Sequence, residues 1–145
     1  MRLLIQRVSK ASVKVKGECV GKINKGFLVF LGITHEDTKD NVNYLVNKLY
    51  NLRVFEDENE KMNLSIKDIN GEILIVSQFT LYADTSHGNR PSFINAAKPE
   101  KANELYEYFI ERAKQTGIKI EAGIFGADMK VELLNDGPVT ILLEK

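Results

Sequence analysis

The sequence contains few of the residues that crosslink proteins or carry them into membranes. Among its 145 residues there are one cysteine, Cys19, three prolines and no tryptophan. A single cysteine cannot form an internal disulfide, which is typical of a reducing compartment. The longest apolar runs are about five residues, as in Phe27–Leu31, and are too short to span a bilayer. The chain turns polar at Gln6 and Arg7, too early for the apolar region of a signal peptide. We therefore expect a cytoplasmic protein with no membrane partner.

Charge of either sign is not in excess, because 20 basic side chains balance 20 acidic ones. A net charge of zero gives no long-range attraction to nucleic acid. Residues 1–33 nevertheless hold seven basic side chains against one acid, and residues 36–60 hold seven acids against three bases. A segment this mildly basic is typical of a solvated face and is compatible with a few phosphate contacts. The length predicts one domain that spans residues 1–145.

The sequence also lacks the common catalytic motifs. There is no G-x-S-x-G elbow, phosphate-binding loop, G-x-G-x-x-G or cysteine pair. His35 and His87 have no second ligand at metal-binding spacing, so we expect no metal and no cofactor. Ser77, Asp84 and His87 could compose a serine–histidine–aspartate set, but spacing alone does not establish its geometry.

Hydrophobic periodicity predicts two helices and several strands. Two segments place apolar residues at helical spacing: Val42, Leu45, Val46 and Leu49 in the first, and Ala102, Leu105, Tyr106, Phe109 and Ala113 in the second. The predicted strands are Val13–Val15, Phe27–Ile33, Ile73–Tyr82, Ile118–Glu121, Met129–Leu134 and Val139–Leu143, with a tight reversal at 135–138 between the last two. This pattern predicts an α/β or α+β fold with a mixed sheet and both helices on one face. The segment Ile73–Val76 is apolar on both faces and should lie centrally.

Polar residues continue this central strand as Ser77, Gln78, Phe79 and Thr80. Period-two alternation puts Gln78 and Thr80 on one face and Ser77 and Phe79 on the other. Polar groups inside a sheet are costly unless they are hydrogen-bonded. The side chains are therefore either satisfied internally or placed where the strand ends at a pocket with free backbone N–H groups. Thr80 or Ser77 could be a nucleophile there, but no partner base is evident.

Five segments in order resemble one family over essentially the whole chain. They are Leu4–Val8, Ser77–Leu81, Arg90–Phe93, Phe125–Met129 and Asn135–Thr140. The family is that of the D-aminoacyl-tRNA deacylases, which are homodimeric editing enzymes. The resemblance implies their fold, with a largely antiparallel sheet, and their reaction, the hydrolysis of the ester that joins a D-amino acid to the terminal ribose of tRNA.

The resemblance also implies roles for individual residues. The pair Gly137–Pro138 would form a cis peptide and enter the active site of the partner subunit, where its carbonyls exclude L-amino acids. Arg7 would tether this pair. Glycine has no side chain to exclude, so glycyl-tRNA would be a second substrate.

The catalytic segment implied by the resemblance is Ser77–Thr80. The backbone N–H groups of Gln78, Phe79 and Thr80 would stabilise the oxyanion, and the substrate's own ribose hydroxyl would activate water. Phe125, Gly126 and Met129 would form the adenosine subsite. Two alternatives stay open: an esterase with Thr80 as nucleophile, and a non-catalytic module that binds RNA 3′ ends.

Overall fold

The computed structural model describes all 145 residues and contains eight strands, two α-helices and one 3₁₀ helix. In chain order the elements are β1 (Arg2–Val15), β2 (Glu18–Ile23), β3 (Gly26–Gly32), α1 (Lys39–Asn51), β4 (Arg53–Glu56), β5 (Met62–Ser65), β6 (Glu72–Ser77), a 3₁₀ helix (Phe79–Tyr82), α2 (Pro99–Lys114), β7 (Lys119–Ala122) and β8 (Met129–Glu144). None of the helices has the length and hydropathy needed to cross a membrane.

The long strand β1 organises the main sheet. One of its edges pairs antiparallel with β2 and β3, and its other edge pairs antiparallel with β8. Strands β3, β6 and β7 continue the sheet in parallel. The sheet is therefore mixed and largely antiparallel, as predicted. Strands β4 and β5 form a separate two-stranded sheet.

Both faces of the main sheet are covered. One face shares a core with the apolar stripes of α1 and α2, so both helices pack on the same side, as the periodicity predicted. The other face has its own cluster: Val8, Ala11, Val13, Ile23, Leu28, Leu74 and Val76. A Cβ on Gly21 would lie 3.0 Å from Leu74 Cδ1 and 3.2 Å from the carbonyl oxygen of Ala122. The sheet therefore curls until β2 lies against β6 and β7, and Ile73–Val76 is buried from both sides.

The predicted reversal at residues 135–138 is wrong. Strand β8 runs without a turn along β1, with Leu133 opposite Ala11 and Ile141 opposite Ile5. Between these pairs Gln6 faces Thr140 and Val8 faces Asn135, so β8 advances five residues where β1 advances two. Residues 135–138 are asparagine, aspartate, glycine and proline, which are the residue types that most often form turns. In a strand that is paired along its whole length, the extra residues form a bulge instead.

We predict that Glu72→Gln lowers stability in a pH-dependent way. Glu72 Oε2 accepts the Asn24 N–H at 2.9 Å and lies 3.2 Å from Lys119 Nζ. The Asn24 backbone bond is the main cause that lowers the pKa of Glu72 below 4.5. Because the folded pKa is depressed, this stabilisation is present above pH 4.5 and is lost as the pH falls. Urea unfolding at pH 7 should show a loss of about 1 kcal/mol.

The difference between Glu72→Gln and wild type should shrink as the pH falls towards 3. A suitable control is Glu104→Gln, because the carboxylate of Glu104 is exposed and lies 3.8 Å from Lys39 Nζ. Its effect should stay within about 0.5 kcal/mol at every pH. A loss for Glu72→Gln that is equal at pH 3.5 and pH 7 would contradict the assignment.

Candidate active site

A cavity of about 650 Å³ opens where β3 and β6 end. Parallel strands commonly bind ligands at their carboxyl ends. The lining residues come from the ends of these strands, the loop before α2, the first turns of α2 and the loop before β8: Leu31, Ile33, Val76, Ser77, Gln78, Phe79, Phe93, Ala96, Ala97, Lys98, Pro99, Ala102, Phe125, Gly126, Ala127, Asp128, Met129 and Val131. Most of these side chains are apolar, so the cavity suits a ligand with a flat, weakly polar part.

Strand β6 ends sooner than alternation predicted. The Gln78 N–H donates to the Leu31 carbonyl at 2.8 Å and extends the parallel pairing, and the chain then turns into the 3₁₀ helix Phe79–Tyr82. A Cβ on Gly32 would lie 3.0 Å from Leu81 Cβ, so the close packing of this turn favours a glycine. The face assignment for Gln78 and Thr80 is therefore wrong, because both residues lie beyond the strand.

The start of the 3₁₀ helix leaves backbone donors without partners in the helix. The first N–H groups of any helix lack intrahelical acceptors. Here these are the N–H groups of Phe79 and Thr80. The N–H of Gln78 is already bound to Leu31, which corrects the expectation that all three groups are free. Two adjacent N–H groups beside a cavity can stabilise a developing oxyanion.

The hydroxyl groups in this segment have no base beside them. Thr80 is exposed, and its Oγ1 accepts a hydrogen bond from the Gln78 side-chain amide. Ser77 is half-buried in the cavity wall and makes no side-chain hydrogen bond. No histidine lines the cavity, and Asp84 accepts the N–H and hydroxyl of Ser86. The serine–histidine–aspartate set is therefore not assembled.

Aromatic and flexible apolar side chains form the other walls. Phe125, Gly126 and Met129 line the cavity together, on the loop that follows β7 and at the start of β8. At the mouth, the rings of Phe79 and Phe93 meet edge to face with centroids 5.1 Å apart. Sequence reasoning gave Phe93 no role, although it lies in one of the five motifs. Ala102 was predicted only as part of the apolar stripe of the second helix. It also lines the cavity, and nothing in the sequence indicates that contact.

Gly137 and Pro138 do not line this cavity. They lie in the bulge of β8, are exposed, and are joined by a cis peptide bond. The Asn135 side-chain amide donates to the carbonyls of Arg7 and Val139 at 2.9 and 3.0 Å and so braces the bulge. The exposed main chain of this pair is therefore braced by Asn135 and lies outside the lining of its own cavity.

Arg7 is the buried anchor of the bulge, with 5% of its surface exposed. Its guanidinium donates to the Asp136 carbonyl at 3.1 Å and to the Val54 carbonyl at 2.7 Å. The carboxylates of Asp136 and Glu56 lie 3.5 and 3.7 Å from its nitrogens. A buried charge is tolerated only when it is hydrogen-bonded and paired, and Arg7 is both.

Comparison with known proteins identifies the family of the chain. The sequence model of D-Tyr-tRNA(Tyr) deacylase matches residues 4–144. A D-aminoacyl-tRNA deacylase of Fusobacterium nucleatum is 62% identical over 144 residues, which cover 99% of this chain and 95% of that protein. The chain belongs to the D-Tyr-tRNA(Tyr) deacylase family.

Solved structures show the same fold. A structure titled c-Myc DNA Unwinding Element Binding Protein has a TM-score of 0.94 and 46% identity, and the match covers 100% of this chain and 99% of that one. A probable eukaryotic D-amino acid tRNA deacylase has a TM-score of 0.85 at 17% identity, covering 98% and 97%, which supports the fold alone. The fold predicted from the sequence is confirmed.

We predict that Gly137→Ala destabilises the bulge more than an ordinary glycine substitution would. Gly137 has φ +120°, and a Cβ there would lie 2.7 Å from Arg7 Nη2 and 3.0 Å from Val139 Cγ2. Gly117, with φ +82° and no atom near its Cβ position, provides the matched control. Thermal unfolding should show a loss of about 1 kcal/mol for Gly117→Ala from backbone strain, and about 2 to 3 for Gly137→Ala. Equal losses would show that Arg7 does not pack tightly on the bulge.

Proposed function

We propose that this protein hydrolyses D-aminoacyl-tRNA and releases the free D-amino acid and tRNA. The observation that carries the proposal is the cavity lined by Ser77, Gln78 and Phe79, beside which the N–H groups of Phe79 and Thr80 are available and no side-chain base is present, in a member of a deacylase family. An ester is already reactive, so an enzyme has mainly to orient water and stabilise the oxyanion. The site contains the groups for that task.

The reaction proceeds by direct attack of water. The water oxygen adds to the ester carbon while a proton passes to the neighbouring ribose hydroxyl. The N–H groups of Phe79 and Thr80 hold the oxyanion, and each donor of this kind contributes roughly 3 to 4 kcal/mol in other enzymes. The carbon–oxygen bond to ribose then breaks, and the neighbouring hydroxyl, which has taken the proton of the water, passes its own proton to the leaving oxygen. Thr80 needs no covalent role, because nothing beside it activates its hydroxyl.

The nucleoside end of the substrate occupies the apolar walls. RNA ends are commonly recognised by stacking on aromatic side chains and by contacts to ribose hydroxyls. Phe125, Gly126 and Met129 provide such a surface for the terminal adenosine. A protein with no net charge that binds only the 3′ end of tRNA makes few phosphate contacts, so its affinity for tRNA should depend weakly on salt concentration. The same net charge does not favour binding along a DNA groove.

Handedness is selected by a second copy of the chain. Gly137–Pro138 is exposed, anchored by Arg7 and outside the lining of its own cavity, as expected of a selector that works in a partner subunit. In the cavity of the partner subunit, its carbonyl oxygens would stand in the path of an L side chain, so L-aminoacyl ends are excluded sterically. Glycine has no side chain, and glycyl-tRNA is therefore accepted too. We place this editing in the cytoplasm, where charged tRNA is used.

The proposal predicts strong discrimination between enantiomers. Purified protein should release D-tyrosine from D-tyrosyl-tRNA without added metal, and should leave L-tyrosyl-tRNA intact. Release is measured with radiolabelled amino acid on matched substrates. Equal turnover of both enantiomers would remove the selection mechanism. Tight binding of adenosine with no release from either substrate would favour the non-catalytic RNA-end module.

Thr80→Val separates the two chemical routes. The substitution removes the hydroxyl but keeps the backbone N–H and a similar shape. If water attacks directly, turnover should fall by no more than about tenfold, the effect of one altered hydrogen bond. If Thr80 is the nucleophile, activity should vanish. Ser77→Ala provides the parallel control for the second hydroxyl of the segment.

The proposal also predicts a homodimer whose contacts include β8. Leu134 is 55% exposed and lies next to the bulge, and Leu133 and Leu142 expose 37% and 50% on the same strand. We expect light scattering to give about twice the 16.4 kDa chain mass. Leu134→Lys should shift the protein towards monomer and weaken the rejection of L-tyrosyl-tRNA.

Tyr44→Lys is the control for that change. Tyr44 is exposed to a similar extent, 47%, but lies on α1. It should leave mass and selectivity unchanged. A Leu134→Lys monomer that retains full selectivity would show that the site is complete within one chain.

A further inference from the structure

Tyr106 joins two strands at the point where they reach the cavity. It lies on α2 with only 2% of its surface exposed. Its hydroxyl is 3.1 Å from the Ile75 carbonyl oxygen and 3.0 Å from the Gly123 carbonyl oxygen. One hydroxyl hydrogen is thus shared between β6 and the residue that follows β7. The contact fixes where the loop after β7 begins.

The same side chain supports the aromatic wall of the cavity. The ring of Tyr106 packs against Phe125 with centroids 5.8 Å apart and planes at 46°. The Gly123 N–H also donates to the Ile75 carbonyl at 2.9 Å, so the start of the loop has two attachments to β6. Tyr106 itself does not line the cavity, whereas Phe125 and Gly126 do. Tyr106 therefore contacts the wall residue Phe125 without itself reaching the cavity.

The oxyanion donors have separate supports. The segment of Phe79 and Thr80 is attached through the Gln78 N–H to Leu31 and through Arg2 Nη1, which donates to the Leu81 carbonyl at 2.7 Å. Neither attachment involves Tyr106. A change at Tyr106 should therefore alter the nucleoside wall and leave the reacting end of the substrate in place.

We propose that Tyr106 is a positioning residue that sets the affinity for the terminal adenosine by fixing Phe125 and Gly126. The inference rests on the proposed function for its kinetic consequence, and it adds a residue that contacts neither substrate nor water. Burial raises the pKa of Tyr106 to about 12, so its hydroxyl remains a donor throughout the pH range of an assay. Without the hydroxyl, the part-buried Gly123 carbonyl loses a donor and the loop shifts or loosens.

The test compares Tyr106→Phe with Tyr108→Phe. Both changes remove one hydroxyl from α2, but the Tyr108 hydroxyl donates to Asn43 Oδ1 of α1 at 3.2 Å, away from the cavity. We expect Tyr106→Phe to raise KM for D-tyrosyl-tRNA by about tenfold with kcat within twofold of wild type. Tyr108→Phe should change neither constant, although both variants should unfold at a lower temperature.

Calorimetric titration with adenosine gives a readout that needs no turnover. Tyr106→Phe should weaken adenosine binding by the same factor as KM, and Tyr108→Phe should not. Equal affinities for all three proteins, no adenosine binding by the wild type, or a fall in kcat with unchanged KM would each overturn the inference. If the wild type binds adenosine but releases no D-tyrosine, the proposed function fails while the titration still decides the role of Tyr106.

Discussion

The site depends on one hydrogen bond, from the Gln78 N–H to the Leu31 carbonyl. It is the bond by which Gln78 extends the pairing of β6 with β3, and beyond it the chain leaves the sheet as a 3₁₀ turn packed on Gly32. Parallel pairing brings the ends of β3 and β6 to the same edge, and the early end of β6 leaves room there for a cavity. The same turn frees the N–H groups of Phe79 and Thr80. A strand continued to Tyr82 would use those donors in the ladder and close the space.

In the proposed mechanism, main-chain atoms perform the tasks that many hydrolases assign to side chains. Backbone N–H groups are fixed before the substrate arrives, so they stabilise negative charge without reorganisation. Side chains mainly support this backbone through hydrogen bonds. Arg2 binds the 3₁₀ turn, Arg7 binds the bulge of β8, and Tyr106 binds the start of the loop after β7. This arrangement explains why the sequence contains no recognisable catalytic triad. A main-chain site leaves a sequence signal only in the small or polar residues that permit its backbone geometry.

Local patterns predicted those parts of the structure that depend on local physics. The stripes of α1 and α2 and the two-sided burial of Ile73–Val76 follow from apolar spacing, and the structure has both. The end of β6 and the continuity of β8 were missed, because each is decided by a partner distant in sequence: Leu31 for the first and β1 for the second. The role of Arg7 was predicted from the family resemblance alone, because hydrophobic periodicity does not indicate that an arginine is buried or which carbonyls it binds. Ala102 and Lys98 line the cavity only because α2 begins beside it.

The anchoring of Gly137–Pro138 suits selection by shape. A steric filter discriminates only as well as it resists displacement, since a filter that yields by an ångström admits the wrong enantiomer. Displacing the bulge would deprive the Arg7 guanidinium of the Asp136 carbonyl while the charge stays buried, which costs several kcal/mol. The guanidinium also donates to the Val54 carbonyl, which is outside the bulge, so the arginine cannot follow the bulge outward without losing a second partner. The exposed backbone of Gly137–Pro138 is therefore stiff because the charge of Arg7 is buried and would lose hydrogen-bond partners if the bulge moved.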